Sequence, residues 1–386
     1  MKIITGPPVA GDNYFFRKKL AEEAWNLIES GCHILITAPR RVGKTSFMYY
    51  LKDHPKKGYC FIYLNTESVN NENEFFRRLV NKIVTTEHIG NSQKIVTFIK
   101  KNIPSIKRVG PDGIEFTKPD EKNFKEMLVK ILQSIQSDNI KLIVMLDEFP
   151  QTLINIIEDE GESQGKHFLR SNREIRQDIE SSKNVQFIYA GSIGLENIVS
   201  RLNAVATIND LARLIIPPLI INEVNDFIDF LLKNTKFTLS HKLKNYILKK
   251  IEWLIPFYIQ LVISELNNIY RDEDLNEISV DIIDRAFVDM LEQRNHFEHW
   301  HTRLRTSFKG KEYSFIKEVL NTVSDNNIIK TNEINDLAVK YDLVEFYRDL
   351  LKTLTYDGYL NNNDNPKIYR FNSPILKMWW KNYVAN

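Results

Sequence analysis

The sequence predicts an α/β fold on a parallel sheet, followed by a helical region and a winged-helix domain. Three observations carry this. Short apolar runs alternate with helix-patterned stretches through residues 1–220, as in a parallel sheet covered on both faces. A glycine-lysine-threonine loop joins the first such run to a helix, and two acids follow another run. The last 80 or so residues read as three helices and a strand–turn–strand wing.

Taken in order, a helix-like stretch at 16–30 precedes the apolar run His33–Thr37, and a second helix pattern starts near Gly43. Further strands are expected at Tyr59–Leu64, Leu142–Leu146, Val185–Ala190 and Leu214–Ile216, the last stopped by Pro217-Pro218. Residues from about 90 to 125 interrupt the alternation as an insertion, with Gly110-Pro111-Asp112-Gly113 reading as a hairpin turn. From 221 to 305 the pattern is helical. Pro256 begins a helix there, because proline suits the first helical turn. Helices near 311–323, 331–340 and 344–356 precede Gly358, the turn at 361–366 and the strand Ile368–Phe371. The expected domains are therefore a core at 1–220, a helical lid at 221–305 and a winged helix at 306–386.

Composition excludes several classes. The 386 residues are 43% hydrophobic and 26% charged, which argues against disorder and collagen-like repeats. The 52 Lys and Arg balance 50 Asp and Glu, so no whole-surface cationic field is expected. Two cysteines, Cys32 and Cys60, are too few for a disulfide framework, so an intracellular chain is expected. No apolar run reaches the roughly 18 residues of a membrane helix. The N-terminus breaks at Gly6-Pro7-Pro8, too early for a signal peptide, so a cytoplasmic location with no membrane partner is expected.

Ala38-Pro39-Arg40-Arg41-Val42-Gly43-Lys44-Thr45 matches the phosphate-loop pattern with Ala38 in the place of its first glycine. Gly43 frees the backbone so that successive N–H groups face phosphate oxygens. Lys44 reaches the outer phosphates, and the Thr45 hydroxyl ligates Mg²⁺. Asp147-Glu148 closes the Leu142–Leu146 run, at the strand end where α/β sheets bind ligands. Asp147 is the second candidate metal ligand, and Glu148 is the candidate base for an attacking water. Gly191-Ser192 closes the next strand, where Ser192 would sense the terminal phosphate or hold that water.

On these residues the chain resembles the prokaryotic AAA+/STAND-type P-loop ATPases, the archaeal ATPase group related to origin-recognition ATPases. The resemblance rests on Gly6-Pro7-Pro8-Val9 with Phe15-Phe16-Arg17, and on Arg40-Arg41-Val42-Gly43-Lys44-Thr45-Ser46. It extends through Leu146–Pro150, Gly191–Leu195, Asn209-Asp210-Leu211, Tyr369–Pro374 and Trp379-Trp380. It implies ATP and Mg²⁺ as cofactors. The nucleotide contacts it implies are Val9, Arg17, Pro39, Arg40, Arg41, Val42, Gly43, Lys44, Thr45, Ser46 and Pro256. Pro256 would stand in the lid motif, with Leu254 where the group has glycine. It also implies an arginine acting in trans, for which Arg170, Arg173, Arg176, Arg201 and Arg213 are candidates.

The activity implied is hydrolysis of ATP to ADP and phosphate in a nucleotide-dependent switch, with Glu148, Lys44 and Ser192 as catalytic residues. Two alternatives stand beside it: an ATP-regulated protein that binds or loads DNA through its winged helix, and a STAND-type defence or signalling sensor. A homo-oligomer, DNA and an unidentified protein are the partners these readings name. Residues 311–386 carry ten Lys or Arg and ten Asp or Glu, which gives a DNA-binding winged helix no strong phosphate-neutralising surface. His296, His299 and His301 surround Trp300, but positions 299 and 301 do not share a helix face. This stretch reads as a packing linker rather than a metal site. No nucleophile–base pair or HEXXH pattern points to protease or esterase chemistry.

Overall fold

A computed structural model describes residues 3–86, 106–110, 113–116, 123–135, 140–178, 180 and 183–385. Two compact units emerge: a sheet unit of residues 16–38 and 44–216, and a helical unit of residues 1–15, 39–43 and 217–386.

The sheet unit opens with α1 (Lys18–Glu29), β1 (His33–Thr37), α2 (Lys44–Asp53), β2 (Tyr59–Asn65) and α3 (Glu72–Val84). The hairpin β3 (Ile106–Gly110) and β4 (Gly113–Phe116) pairs antiparallel, as its turn sequence predicts; Pro111 and Asp112, with most of the stretch from 90 to 125, lie outside the described residues. Next come α4 (Phe124–Ser134), β5 (Lys141–Asp147), α5 (Phe149–Glu160), α6 (Glu162–Gln177), β6 (Val185–Ala190), α7 (Leu195–Arg201) and β7 (Leu211–Ile215).

Five strands form one parallel sheet in the order β2-β5-β6-β1-β7. Apart from Lys141, β5 is buried residue after residue, which explains its continuous apolar run. The last strand begins at Leu211, three residues before the expected Leu214. Its early part reads as polar because β7 lies at the sheet edge and Arg213 is exposed. Phe75, Phe149, Phe168 and Tyr189 pack in one cluster, edge to face except for the stacked Phe149–Phe168 pair, with ring centroids from 4.7 to 5.8 Å apart. The side-chain amide of Asn71 caps α3 and that of Asn123 caps α4, which fixes where each starts.

In the helical unit run α8 (Ile221–Leu232), α9 (His241–Ile251), α10 (Pro256–Asp272), α11 (Val280–Glu292) and α12 (Glu298–Ser307). Ser240 and Ser279 cap α9 and α11, and Pro256 occupies the first turn of α10. Then follow α13 (Gly310–Asn326), β8 (Ile329–Lys330), α14 (Thr331–Lys340), α15 (Tyr347–Tyr356), β9 (Leu360–Asn361), β10 (Ile368–Phe371) and α16 (Pro374–Tyr383). The three short strands form an antiparallel sheet in the order β8-β10-β9. Trp300, Trp379 and Trp380 are fully buried in this unit. Among the described residues, no helix is long and apolar enough to cross a membrane.

Candidate functional site

Parallel pairing in register sets the site. Asn65 of β2 lies opposite Asp147 of β5, so both strands end at the same edge. There the Thr45 hydroxyl, in the first turn of α2, donates to Asp147 Oδ2 at 2.7 Å, and the Tyr63 hydroxyl donates to the same oxygen at 2.9 Å. The backbone N–H of Glu148 donates to Oδ1 at 3.1 Å. The Asp147 carbonyl accepts from both the N–H and the hydroxyl of Thr66, at 2.9 and 3.0 Å. Thr152 on α5 in turn donates to the Thr66 carbonyl at 2.6 Å.

Asp147 is only 1% exposed. Burial raises its carboxyl above the usual range, the Thr45 hydrogen bond opposes this, the neighbouring charge of Glu148 adds to it, and Lys44 pulls it down. Burial and the adjacent Asp147 push the Tyr63 phenol far above its ordinary value, so it stays a donor. Lys44 is itself buried, as is Ser46 beside it on α2.

Glu148 adopts a left-handed conformation (φ 56°, ψ 30°) and occupies the N-cap of α5. The N–H and the hydroxyl of Ser192, past the end of β6, both donate to Glu148 Oε2 at 2.9 Å. Gly191 is required by close approach, since a Cβ there would stand 2.4 Å from Pro150 Cδ. The structure thus brings Thr45, Asp147, Glu148 and Ser192 into one hydrogen-bonded group, with the Lys44 charge acting on Asp147. Tyr63 and Thr66 join it although the sequence reading did not name them. Their signal is position, at the end of the strand beside β5, and it needs the strand order to be read.

The other expected nucleotide contacts are divided between the two units. Arg17 is buried at the N-cap of α1 in the sheet unit. Val9, Pro39, Arg40, Arg41, Val42, Gly43 and Pro256 belong to the helical unit. Gly43 has φ +99°, a conformation that favours glycine, and Val42 is buried.

One candidate for a trans-acting arginine is corrected. Arg176, 4% exposed, donates to both oxygens of Asp210 at 2.7 and 2.9 Å, to the Thr207 carbonyl at 2.6 Å and to the Tyr189 hydroxyl at 3.1 Å. A guanidinium sealed this way serves its own fold and does not reach a neighbouring molecule. Arg173 donates to the Ala206 carbonyl, and Arg213 pairs with Glu196 at 2.5 Å. Arg170 and Arg201 are exposed. The three histidines do not converge: His301 meets the Tyr313 hydroxyl at 2.7 Å and His296 meets Gln293 at 3.1 Å. Among the described residues, no group of three or more His, Cys, Asp or Glu is placed to hold a metal.

No protein-family profile matches the chain, and no curated protein matches it by sequence. Solved structures do match. A Walker-type ATPase of Pyrococcus abyssi superposes with a TM-score of 0.68 at 15% identity, over 98% of this chain and 99% of that one. The ORC2 protein of Aeropyrum pernix, in its ADPNP–ADP complexes, gives 0.59 at 13% identity, over 95% and 93%. The chain therefore has the α/β P-loop NTPase fold, and shares its architecture with these two proteins over nearly its whole length.

Proposed function

We propose that this chain is a P-loop ATPase that binds ATP and hydrolyses it to ADP and phosphate, as a nucleotide-dependent switch. The observation that carries the reading is the Thr45–Asp147 hydrogen bond of 2.7 Å, which joins the phosphate-loop threonine to the strand-end acid. A hydroxyl and a carboxylate are hard oxygen donors and suit Mg²⁺, which would shield charge on the phosphates. Lys44 neutralises the outer phosphates. Glu148 accepts the proton of the attacking water as the water oxygen bonds to the terminal phosphorus and the bond to the leaving ADP oxygen breaks. Ser192 holds Glu148 through two hydrogen bonds until that role is needed. The ATPase nature of the Pyrococcus abyssi protein supports the reading.

The remaining assignments belong to the same proposal. Val9, Arg17, Pro39, Arg40, Val42 to Ser46 and Pro256 contact the nucleotide. Residues 221–305 act as a lid, and residues 306–386 form a winged helix, supported by α13 to α15 and the sheet β8-β10-β9. A second reading is DNA binding through this last region, supported by its three helices and the antiparallel sheet β8-β10-β9. A DNA titration at low and moderate salt tests it, with a steep salt response expected for phosphate-driven binding.

For the ATPase reading, nucleotide affinity and turnover are measured on wild type and Lys44→Ala. Loss of a charge-assisted contact is expected to weaken ATP binding by about tenfold to a hundredfold or more. Equal affinity in the two proteins would overturn the proposal.

A further inference from the structure

We propose that Arg41 is a positioning residue, which fixes the phosphate loop by tying it to the N-terminal segment and to α10, and is not a ligand of the phosphates. The inference rests on the nucleotide reading above and replaces the role the resemblance implies for Arg41.

Four structural features support it. Arg41 has φ 64°, a left-handed conformation that a long side chain keeps only when its surroundings enforce it. Its Nη1 donates to the Gly6 carbonyl at 3.0 Å. Its guanidinium carbon lies 4.5 Å from the centroid of the Phe257 ring, well within cation–π range. Residues 39–43 cluster with residues 1–15 and 217–386, so the tie lies wholly within the helical unit. The guanidinium is thus engaged by a carbonyl and a ring, and burial lowers its pKa from the arginine value. His296 also packs edge-on against Phe257, at 6.0 Å between ring centroids, which holds the ring in place.

The chemistry favours arginine here. A flat guanidinium stacks on a ring while it donates in its own plane, and a lysine ammonium does not. A loop fixed in its competent form binds every nucleotide better by the same factor, because apparent affinity scales with the competent fraction. A phosphate ligand would instead favour ATP over ADP.

The test uses the full chain. ATP and ADP affinities are measured calorimetrically for wild type, Arg41→Ala, Arg41→Lys, Phe257→Leu and the double variant Arg41→Ala/Phe257→Leu. Each single variant is expected to weaken both nucleotides by the same factor, on the order of tenfold, or about 1.4 kcal/mol. Lysine should fail to rescue, and the double variant should bind no more weakly than Arg41→Ala. A loss confined to ATP, rescue by lysine, or unchanged affinity in Phe257→Leu would overturn the proposal. Hydrogen exchange without nucleotide gives an arm independent of the ATPase reading. Amides of residues 5–14 and 256–260 should exchange faster in Arg41→Ala than in wild type, and equal rates would sink the tie. If wild type binds neither nucleotide, the ATPase reading falls and the exchange arm alone decides on Arg41.

Discussion

At the end of β5 all three oxygens of Asp147 have donors, whereas the aromatic core of the helical unit is wired differently. There Arg303 spends one nitrogen on Asp357 at 2.9 Å, and both residues are almost fully buried. Among the described residues, its Nε and Nη1, the indole N–H groups of Trp300 and Trp379, and both ring nitrogens of His299 are buried without hydrogen-bond partners. A buried polar atom left unpaired costs about 1–3 kcal/mol, and a satisfied one costs little. The contrast separates a polar group held in one geometry, as chemistry on a phosphate needs, from polar atoms enclosed by packing that favours neighbouring apolar surface. Removing the charge of the Glu148 base at the first should therefore show in turnover, and breaking the buried ion pair at the second in stability.

The sharpest break would come at Glu148. We expect Glu148→Gln to lower ATP turnover by about 10²–10⁴-fold while ATP affinity and melting temperature hold. Steady-state hydrolysis, calorimetric binding and a thermal melt check this together. A melting loss in place of a turnover loss would erase the distinction between the two regions.

On the other side, Asp357→Asn leaves a buried guanidinium without its counter-charge, and unfolding free energy should fall by roughly 3–5 kcal/mol. Chemical denaturation reads this directly. Replacing both partners with apolar residues, Arg303→Met with Asp357→Leu, should recover most of the loss.

His299 sharpens the contrast through pH. Burial first, then the charges of Arg41, Arg40 and Arg303, lower its pKa to about 3. The folded chain then keeps it neutral above that pH, while the unfolded chain protonates it below about 6.5. The unfolded state binds the extra proton in this window, so stability falls as pH drops from about 6.5 to about 3, by at most about 1.4 kcal/mol per unit. His299→Phe should flatten this limb in denaturation curves taken across the window. An unchanged limb would assign the acid sensitivity to other groups.

The smallest effect is expected from Tyr63→Phe, which removes one of two donors on Asp147 Oδ2. A loss of about 1 kcal/mol is expected by denaturation, with Thr45 still in place.

Legibility in the sequence follows the range of the interactions. β1, β2, β5 and β6 are evident because strands buried on both faces must be apolar throughout, and the acid pair is evident because it ends such a run. The hairpin is evident because glycines and a proline at fixed offsets define a turn. β8 escapes notice because two residues carry no periodicity. Tyr63 and Thr66 escape because their role depends on which strand lies beside β5, a pairing across some 80 residues of chain. Arg176 misleads for the same reason, since its helix looks solvated until Asp210, 34 positions later, folds against it.

The threonine pair beneath the acids has one more consequence. Thr66 grips the main-chain oxygen of Asp147, and Thr152 grips Thr66, so the turn holding both acids is anchored without help from either carboxylate. An amide can therefore stand in for the Glu148 carboxylate on an unmoved backbone, because Ser192 donates to Oε2 alone, and whatever changes in such a protein reports the missing charge rather than a displaced chain.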